Sequence, residues 1–314
     1  SHFQLNWKSM DMWDRFVRLL DEDVGLRWGG GLIWESTEEG ANRLIETIRI
    51  LQERGYPARL IAERELLNLE PELSPGEVTA AAYQETEGQV DPINVVSACL
   101  MRVASGGGTV RLGKPVLNLI ASGNYVDAVQ TAEGVISCDA VVIAAGVNAT
   151  QLVEPLGVHL PQQISPGITF TTNIQKRLIK TASVIYAPPV SGGDSTHFRQ
   201  RADGSFMIGE GKQESLANDD SQDHANDVLE RTIHYLPALS GATAIPLPLK
   251  FRPMPLDGLP VIGFAKTIPN LYIAVMHSGV TLAPLVGEWS AMEIVDGIHV
   301  ANLEEYRVER FAGK

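Results

Sequence analysis

The chain has 314 residues, enough for about two domains, and an ordinary globular composition of 44% hydrophobic and 20% charged residues with 29 glycines. Its 38 acidic against 25 basic residues leave a net charge of −13, which argues against nucleic acid and against electrostatic attachment to anionic lipid. No run of about 18 apolar residues occurs, so no stretch reads as a membrane span, and the first residues do not read as a signal peptide.

In chain order, residues 1–20 read as a helix, with Leu5, Met12, Trp13, Phe16, Val17, Leu19 and Leu20 on one broad face. Residues 27–34 (RWGGGLIW) read as a strand that opens through glycines. A second helix is expected over 38–54, with Leu44, Ile45, Ile48 and Leu51 as its apolar stripe, and a third over 63–69, ending before Pro71. A sharper pattern begins at Asp91-Pro92. Residues 93–104 predict a helix with Val95, Val96, Leu100 and Val103 inward, closed by Gly106-Gly107-Gly108. β-rich runs follow at 109–112, 116–121, 126–131 and 135–138, the last three joined by tight turns at Ser122-Gly123-Asn124 and Ala132-Glu133-Gly134. The run 139–146 (DAVVIAAG) is nearly all apolar, as a strand covered on both faces must be. Cys99 and Cys138 lie far apart, form no CxxC, and read as buried thiols of a reducing, cytoplasmic compartment.

From 164 to 251 the pattern is mostly β with polar interruptions. Residues 168–173, 183–187, 196–200 and 205–210 read as strands of an antiparallel sheet, and 225–235 as a helix before Pro237. Tyr186, His197 and Arg199 fall within these strands, and their alternation does not decide which face they share. Asp219, Asp220, Asp223 and His224 read as a solvated polar loop and not as a metal site; no metal site is expected, nor any Ser-His-Asp arrangement. The closing part carries Arg252 in a proline-rich, turn-rich setting and a buried strand over 271–276. A turn at His277-Ser278-Gly279 then opens an amphipathic helix. Leu282, Leu285, Val286, Trp289 and Met292 recur at i, i+3, i+4, i+7 and i+10. Thr281 is the expected N-cap, Pro284 the expected first-turn proline and Gly297 the stop. A strand, a glycine turn and a helix start present backbone N–H groups to an electron-rich group. The same pattern also serves as a plain βα connection.

The wording of several segments resembles the FAD-dependent D-amino acid oxidase-like family, whose members include glycine oxidase, sarcosine oxidase, and hydrogen cyanide synthase and opine oxidase subunits. The matching residues are Gly88 to Pro92 (GQVDP), Ala144-Ala145-Gly146, Arg252-Pro253, Asp257-Gly258-Leu259-Pro260-Val261-Ile262-Gly263, Pro269-Asn270-Leu271-Tyr272, and His277 to Pro284 (HSGVTLAP). Leu303, Tyr306 and Arg310-Phe311 follow the family's closing pattern. The resemblance implies an α/β fold: an FAD-binding, dinucleotide-type domain from 1–20, 88–163 and 253–314, and a substrate domain with a mostly antiparallel sheet and flanking helices from 21–87 and 164–252. It implies Arg252 against a substrate carboxylate, which a planar guanidinium meets with two parallel bonds. It places Gly279, Val280, Thr281 and Leu282 along the flavin's pyrimidine edge, Val116 toward the adenine side, and Ala145 and Gly146 close to the cofactor. His277 borders the flavin or a substrate-side wall, though a histidine at a strand end also serves structure.

The implied reaction is oxidation of an amine or amino acid (glycine, D-amino acid or N-methyl class) by hydride transfer to flavin N5, giving an imine. The implied electron acceptor is oxygen, a quinone or a partner subunit, and the resemblance allows an oligomer. One family feature is not found. No Gly-x-Gly-x-x-Gly run precedes a suitable helix: Gly29-Gly30-Gly31 is followed by Trp34 where the third glycine belongs. Either the chain is a fragment or another chain supplies the run. The rival expectation is therefore a non-catalytic subunit, or a fragment with an incomplete flavin site.

Overall fold

The structure, a computed structural model, describes residues 1–190, 192–211 and 217–312. The chain divides into two compact units, each built from separated segments. The first comprises Ser1–Glu22, Val96–Ser165 and Phe251–Lys314; the second comprises Asp23–Val95 and Pro166–Lys250. Residues 88–95, grouped with the cofactor segments on sequence, pack in the second unit. Gly88–Gln89 pairs with Arg27–Trp28, the Asp91 N–H donates to the Val24 carbonyl at 2.8 Å, and the Asp91 carboxylate pairs with Arg201 at 2.7 Å.

In the first unit a three-stranded sheet runs in the order Val261–Ala265, Ile268–Val275, Val141–Ile143, antiparallel and then parallel. One core fills one side with Ile143, Leu152, Leu160, Leu271, Ile273 and Val308. Another fills the other side with Leu5, Ile262, Tyr272, Leu285, Trp289 and Tyr306. Alternation along Leu271, Tyr272 and Ile273 sends side chains to both, which is why that run is wholly apolar. Helix His2–Leu20 packs on helix Gly279–Ile294. Two of its side chains, Ser9 Oγ and Trp13 Nε1, donate to the Thr281 carbonyl at 2.7 and 3.3 Å. A separate meander of Val116–Ser122, Tyr125–Thr131 and Gly134–Ser137 is held by the buried Asn270 amide. Asn270 donates to the Val126 and Asp139 carbonyls at 2.7 and 3.1 Å and accepts from the Val126 N–H at 2.9 Å.

The second unit is built on an eight-stranded sheet in the order Ala244–Pro246, Phe170–Thr172, Phe206–Glu210, Thr196–Gln200, Val184–Ala187, Gly31–Glu35, Ala80–Gln84, Ala58–Ile61. Every pairing is antiparallel except that of Val184–Ala187 with Gly31–Glu35. One face carries Leu32, Trp34, Phe170, Ile185, Phe198, Phe206 and Ile208 into a core completed by Leu66, Val228 and Leu229 from helices Glu63–Leu69 and Gln222–Tyr235. Glu70, almost fully buried, accepts the Lys180, Thr181 and Ala182 N–H groups at 2.7, 2.7 and 2.5 Å, so one carboxylate fixes a loop 110 residues away.

Several expectations are corrected. The run 27–34 is two strands, Arg27–Trp28 and Gly31–Glu35, in different sheets. Gly30 breaks it at φ 73°, and a Cβ there would lie 2.4 Å from the Tyr83 ring, a position only glycine fills. No strand forms at 109–112, where Leu112 is exposed and unpaired in any sheet. In helix Pro92–Ser105, Val95 and Ala98 are buried while Val96 and Val103 are exposed. Adjacent residues stand about 100° apart around a helix, and the covered face here is narrow enough to include Val95 and Ala98 but not Val96. Val142, on the last strand of that sheet among the described residues, is also largely exposed, its side chain belonging to neither of the two cores that flank the sheet. The two cysteines are free and only partly buried.

Candidate functional site

The site is a groove in the first unit, at the point where the central strand Ile268–Val275 turns into helix Gly279–Ile294. The turn is tight. Ser278 takes the left-handed conformation at φ 47° and is the helix N-cap, although its side chain makes no capping bond. The helix therefore starts two residues before the expected Thr281 cap, and Pro284 lies inside it rather than in its first turn. The Leu282 N–H closes onto the Ser278 carbonyl at 3.0 Å. The preceding N–H groups of Gly279, Val280 and Thr281 have no acceptor among the described residues, as a first helical turn dictates. They carry the positive end of the helix dipole.

Gly279, Ala283 and Gly287 repeat every four residues, so all three lie on one side of the helix. They line the groove with Val286, Val275 and Met276. Facing them are Ala144 and Gly146, from the turn after strand Val141–Ile143, and Pro253, the residue after Arg252. The volume is about 330 Å³. A Cβ added at Gly279 would meet nothing nearer than Met276 Cγ at 3.9 Å, and one at Gly146 nothing nearer than Pro253 Cγ at 4.0 Å. Small residues thus hold open a flat apolar slot beside unpaired backbone donors.

Of the residues singled out on sequence, Gly146 and Gly279 line this groove. Ala145 lies between two lining neighbours, with its own side chain on the core. Val280 is exposed on the first turn, and the Thr281 carbonyl is tied to Ser9 and Trp13. The Leu282 side chain is fully buried in the core and turned from the groove. Val116 stands on the separate meander and does not line it. Arg252 adjoins the groove through Pro253; its N–H donates to the Ser165 carbonyl at 2.7 Å, and partial burial lowers its guanidinium pKa. His277 is half-buried, with Nδ1 3.1 Å from Ser278 Oγ. His224, read as part of a polar loop, sits on the first turn of helix Gln222–Tyr235 and is bonded to Glu210. Among the described residues no cluster of ligating side chains could hold a metal, and no helix is long and apolar enough to cross a membrane. Sequence reasoning missed Ala283 and Gly287, although their spacing from Gly279 was a legible signal.

Residues 1–292 match the family described as FAD dependent oxidoreductase, DAO. The chain belongs to this family. It is 27% identical over 301 residues to an opine oxidase subunit of Agrobacterium tumefaciens, covering 93% of this chain and 77% of that one. It is 26% identical over 301 residues to glycine oxidase of Geobacillus kaustophilus, covering 93% and 76%. The crystal structure of glycine oxidase from Geobacillus kaustophilus superposes with a TM-score of 0.86 at 23% identity, covering 100% of this chain and 84% of that one, a likeness of fold. This member of the DAO family is an FAD-dependent oxidoreductase. Its groove fits that cofactor on two observations: glycines and alanines line a slot open to a ring, and the helix that begins at Gly279, one of those lining residues, leaves its first-turn N–H groups without acceptors among the described residues.

Proposed function

We propose that the chain oxidises a small amine or amino acid at the C–H bond beside its nitrogen, with Arg252 holding the substrate carboxylate. The observation that carries this reading is the convergence of Gly146, Pro253 and Gly279 on one groove, with Arg252 the residue before Pro253 in the chain. The names of the relatives support it: glycine oxidase, an opine oxidase subunit and D-amino-acid oxidase. Bound in the groove, FAD would supply a two-electron acceptor for the hydride of that C–H bond; the substrate would be left as an iminium ion, in equilibrium with the imine by loss of a proton, which water hydrolyses. The residues do the rest by position. The N–H groups of Gly279, Val280 and Thr281, at the positive end of the helix, would stabilise negative charge that develops on a ring held at the helix start. Gly146, Ala283 and Gly287 keep the slot flat. Arg252 fixes the carboxylate, and so the carbon to be oxidised, by a paired geometry. A neutral amine, alignment and a dry site suffice for this chemistry, so it calls for no protein base. His277, the titratable side chain on the turn into the helix, is assigned to the border of the substrate space. The first unit is the cofactor unit and the second the substrate unit. The acceptor is oxygen, a quinone or a partner subunit.

The test is steady-state kinetics on an amine and amino-acid panel for the wild type, Arg252→Gln and Arg252→Lys. Carboxylate-bearing substrates should lose apparent affinity in Arg252→Gln, while amines without a carboxylate should not. Equal effects on both classes would remove Arg252 from this role.

A further inference from the structure

A second cavity lies wholly within the second unit, beside strands Thr196–Gln200 and Phe206–Glu210. Its volume is about 330 Å³. Arg199 and Met207, directly paired across the two strands and so on one face of the sheet, both line it. Phe198 and Gln200 point to the opposite, buried face, which leaves Arg199 on the face away from the core. Among the described residues, Arg199 makes one polar side-chain contact, from Nη2 to Met207 Sδ at 3.6 Å. A thioether is a weak acceptor, and a guanidinium has five N–H donors.

The other charged groups around the cavity already have partners. Arg201 is paired with Asp91 at 2.7 Å. Asp91 Oδ1 also accepts the Ile93 and Asn94 N–H groups at 2.9 and 3.2 Å. Asp23 accepts the Gly25 N–H at 2.9 Å. Asp203 accepts the Ser205 N–H and hydroxyl at 2.9 and 2.7 Å. Among the described residues, Arg199 therefore stands as a cation without a carboxylate, in a cavity whose remaining charge is mostly acidic. Burial pulls its guanidinium below the usual arginine range; nearby Tyr186 opposes this and Arg201 adds to it. An arriving anion would relieve that cost.

We propose that the second unit carries a binding site in which Arg199 holds the carboxylate of a small zwitterion, with the ligand's cationic nitrogen set against Asp23, Asp91 and Asp203. The planar fork of arginine matches a carboxylate. Three acidic neighbours repel a dianion such as phosphate and favour a ligand that also carries positive charge. Met207 gives the carbon skeleton an apolar wall. The site stands independently of the role given to Arg252, which belongs to the first unit.

The test is isothermal titration of the purified chain with glycine, propionate and inorganic phosphate. It is run on the wild type, Arg199→Gln, Arg199→Lys and Arg252→Gln, with thermal melts to verify folding. Glycine should bind the wild type more tightly than propionate does, and phosphate should not bind. Arg199→Gln should weaken the glycine component by about tenfold or more. Arg199→Lys, which keeps the charge and the fold but not the fork, should weaken it by less. Arg252→Gln should retain the component that Arg199→Gln lacks. Unchanged glycine affinity in both Arg199 variants, or phosphate binding as tight as glycine, would overturn the proposal. Loss confined to Arg252→Gln would also overturn it and leave the proposed function standing. Loss confined to the Arg199 variants would uphold it.

Discussion

Single residues set the open slot of the groove and the positive anchor proposed for the substrate. Gly279 has free space where a side chain would stand, so a larger residue there would not disturb the fold; it would fill the slot. Gly279→Val is expected to leave the melting temperature of the protein without FAD nearly unchanged while abolishing the rise that added FAD produces. Differential scanning calorimetry with and without FAD separates the two. For Arg252→Gln the expected loss in binding a carboxylate substrate is about 2–5 kcal/mol, the usual cost of truncating one partner of a buried, hydrogen-bonded charge pair. Gly30 behaves in the opposite way to Gly279. Its φ of 73° and the Tyr83 ring beside it leave no room for a side chain, so Gly30→Ala should destabilise the protein by about 2 kcal/mol or more, read in urea unfolding.

At the scale of elements, helix Gly279–Ile294 is anchored at both ends by polar groups that its apolar stripe does not reveal. At its start, Ser9 and Trp13 hold the Thr281 carbonyl. Near its end, Glu293 is buried and bonded to Arg307 at 2.5 Å, with the Tyr272 hydroxyl and the Val300 N–H as further donors at 2.9 and 3.1 Å. Burial alone would raise the Glu293 pKa. Arg307, the Val300 N–H and Tyr272 outweigh it, and the net shift is downward from 4.5. A carboxylate depressed in the folded state stabilises the protein above its unfolded pKa, and that contribution is lost as the pH falls through the folded value. Arg307→Met should therefore cost about 3–5 kcal/mol at neutral pH, because it leaves a buried charge unpaired. The deficit against wild type should shrink as the pH drops below 4.5, where protonating Glu293 costs the wild type its ion pair and relieves the variant. Urea melts at pH 7 and pH 4 measure both; a deficit independent of pH would remove Glu293 from this account.

Over the whole molecule, both units are assembled from segments distant in sequence, and a few buried polar side chains hold those segments in register. Asn270 ties the central strand to the meander, and Glu70 ties one helix end to a loop 110 residues away. Glu70→Ala would leave three buried N–H groups without their acceptor, and a loss of about 3 kcal/mol or more is expected from thermal or urea unfolding. FAD bound to the folded state adds stability by mass action, about 2.7 kcal/mol at one hundred times its dissociation constant. A melting temperature that rises with FAD concentration is the expected result.

The sequence by itself determined the helices 2–20, 38–53, 63–69 and 222–235 to within a few residues, because each carries an apolar stripe at helical period with a start or stop beside it. It also determined the turn at 277–279 and the wording that marks the family, because glycine and proline constrain the backbone locally. Only the tertiary structure decided which apolar residues are covered. Val96, Val103 and Val142 look like core on sequence and stand exposed, since burial depends on what packs against a face and not on the face alone. It alone split 27–34 at Gly30, through a Tyr83 ring that arrives from 53 residues away. It alone set Leu282 in the core and Gly146 opposite Gly279, and it gave Arg199 a cavity. A contact between distant residues depends on chain closure and packing, and no local period encodes either.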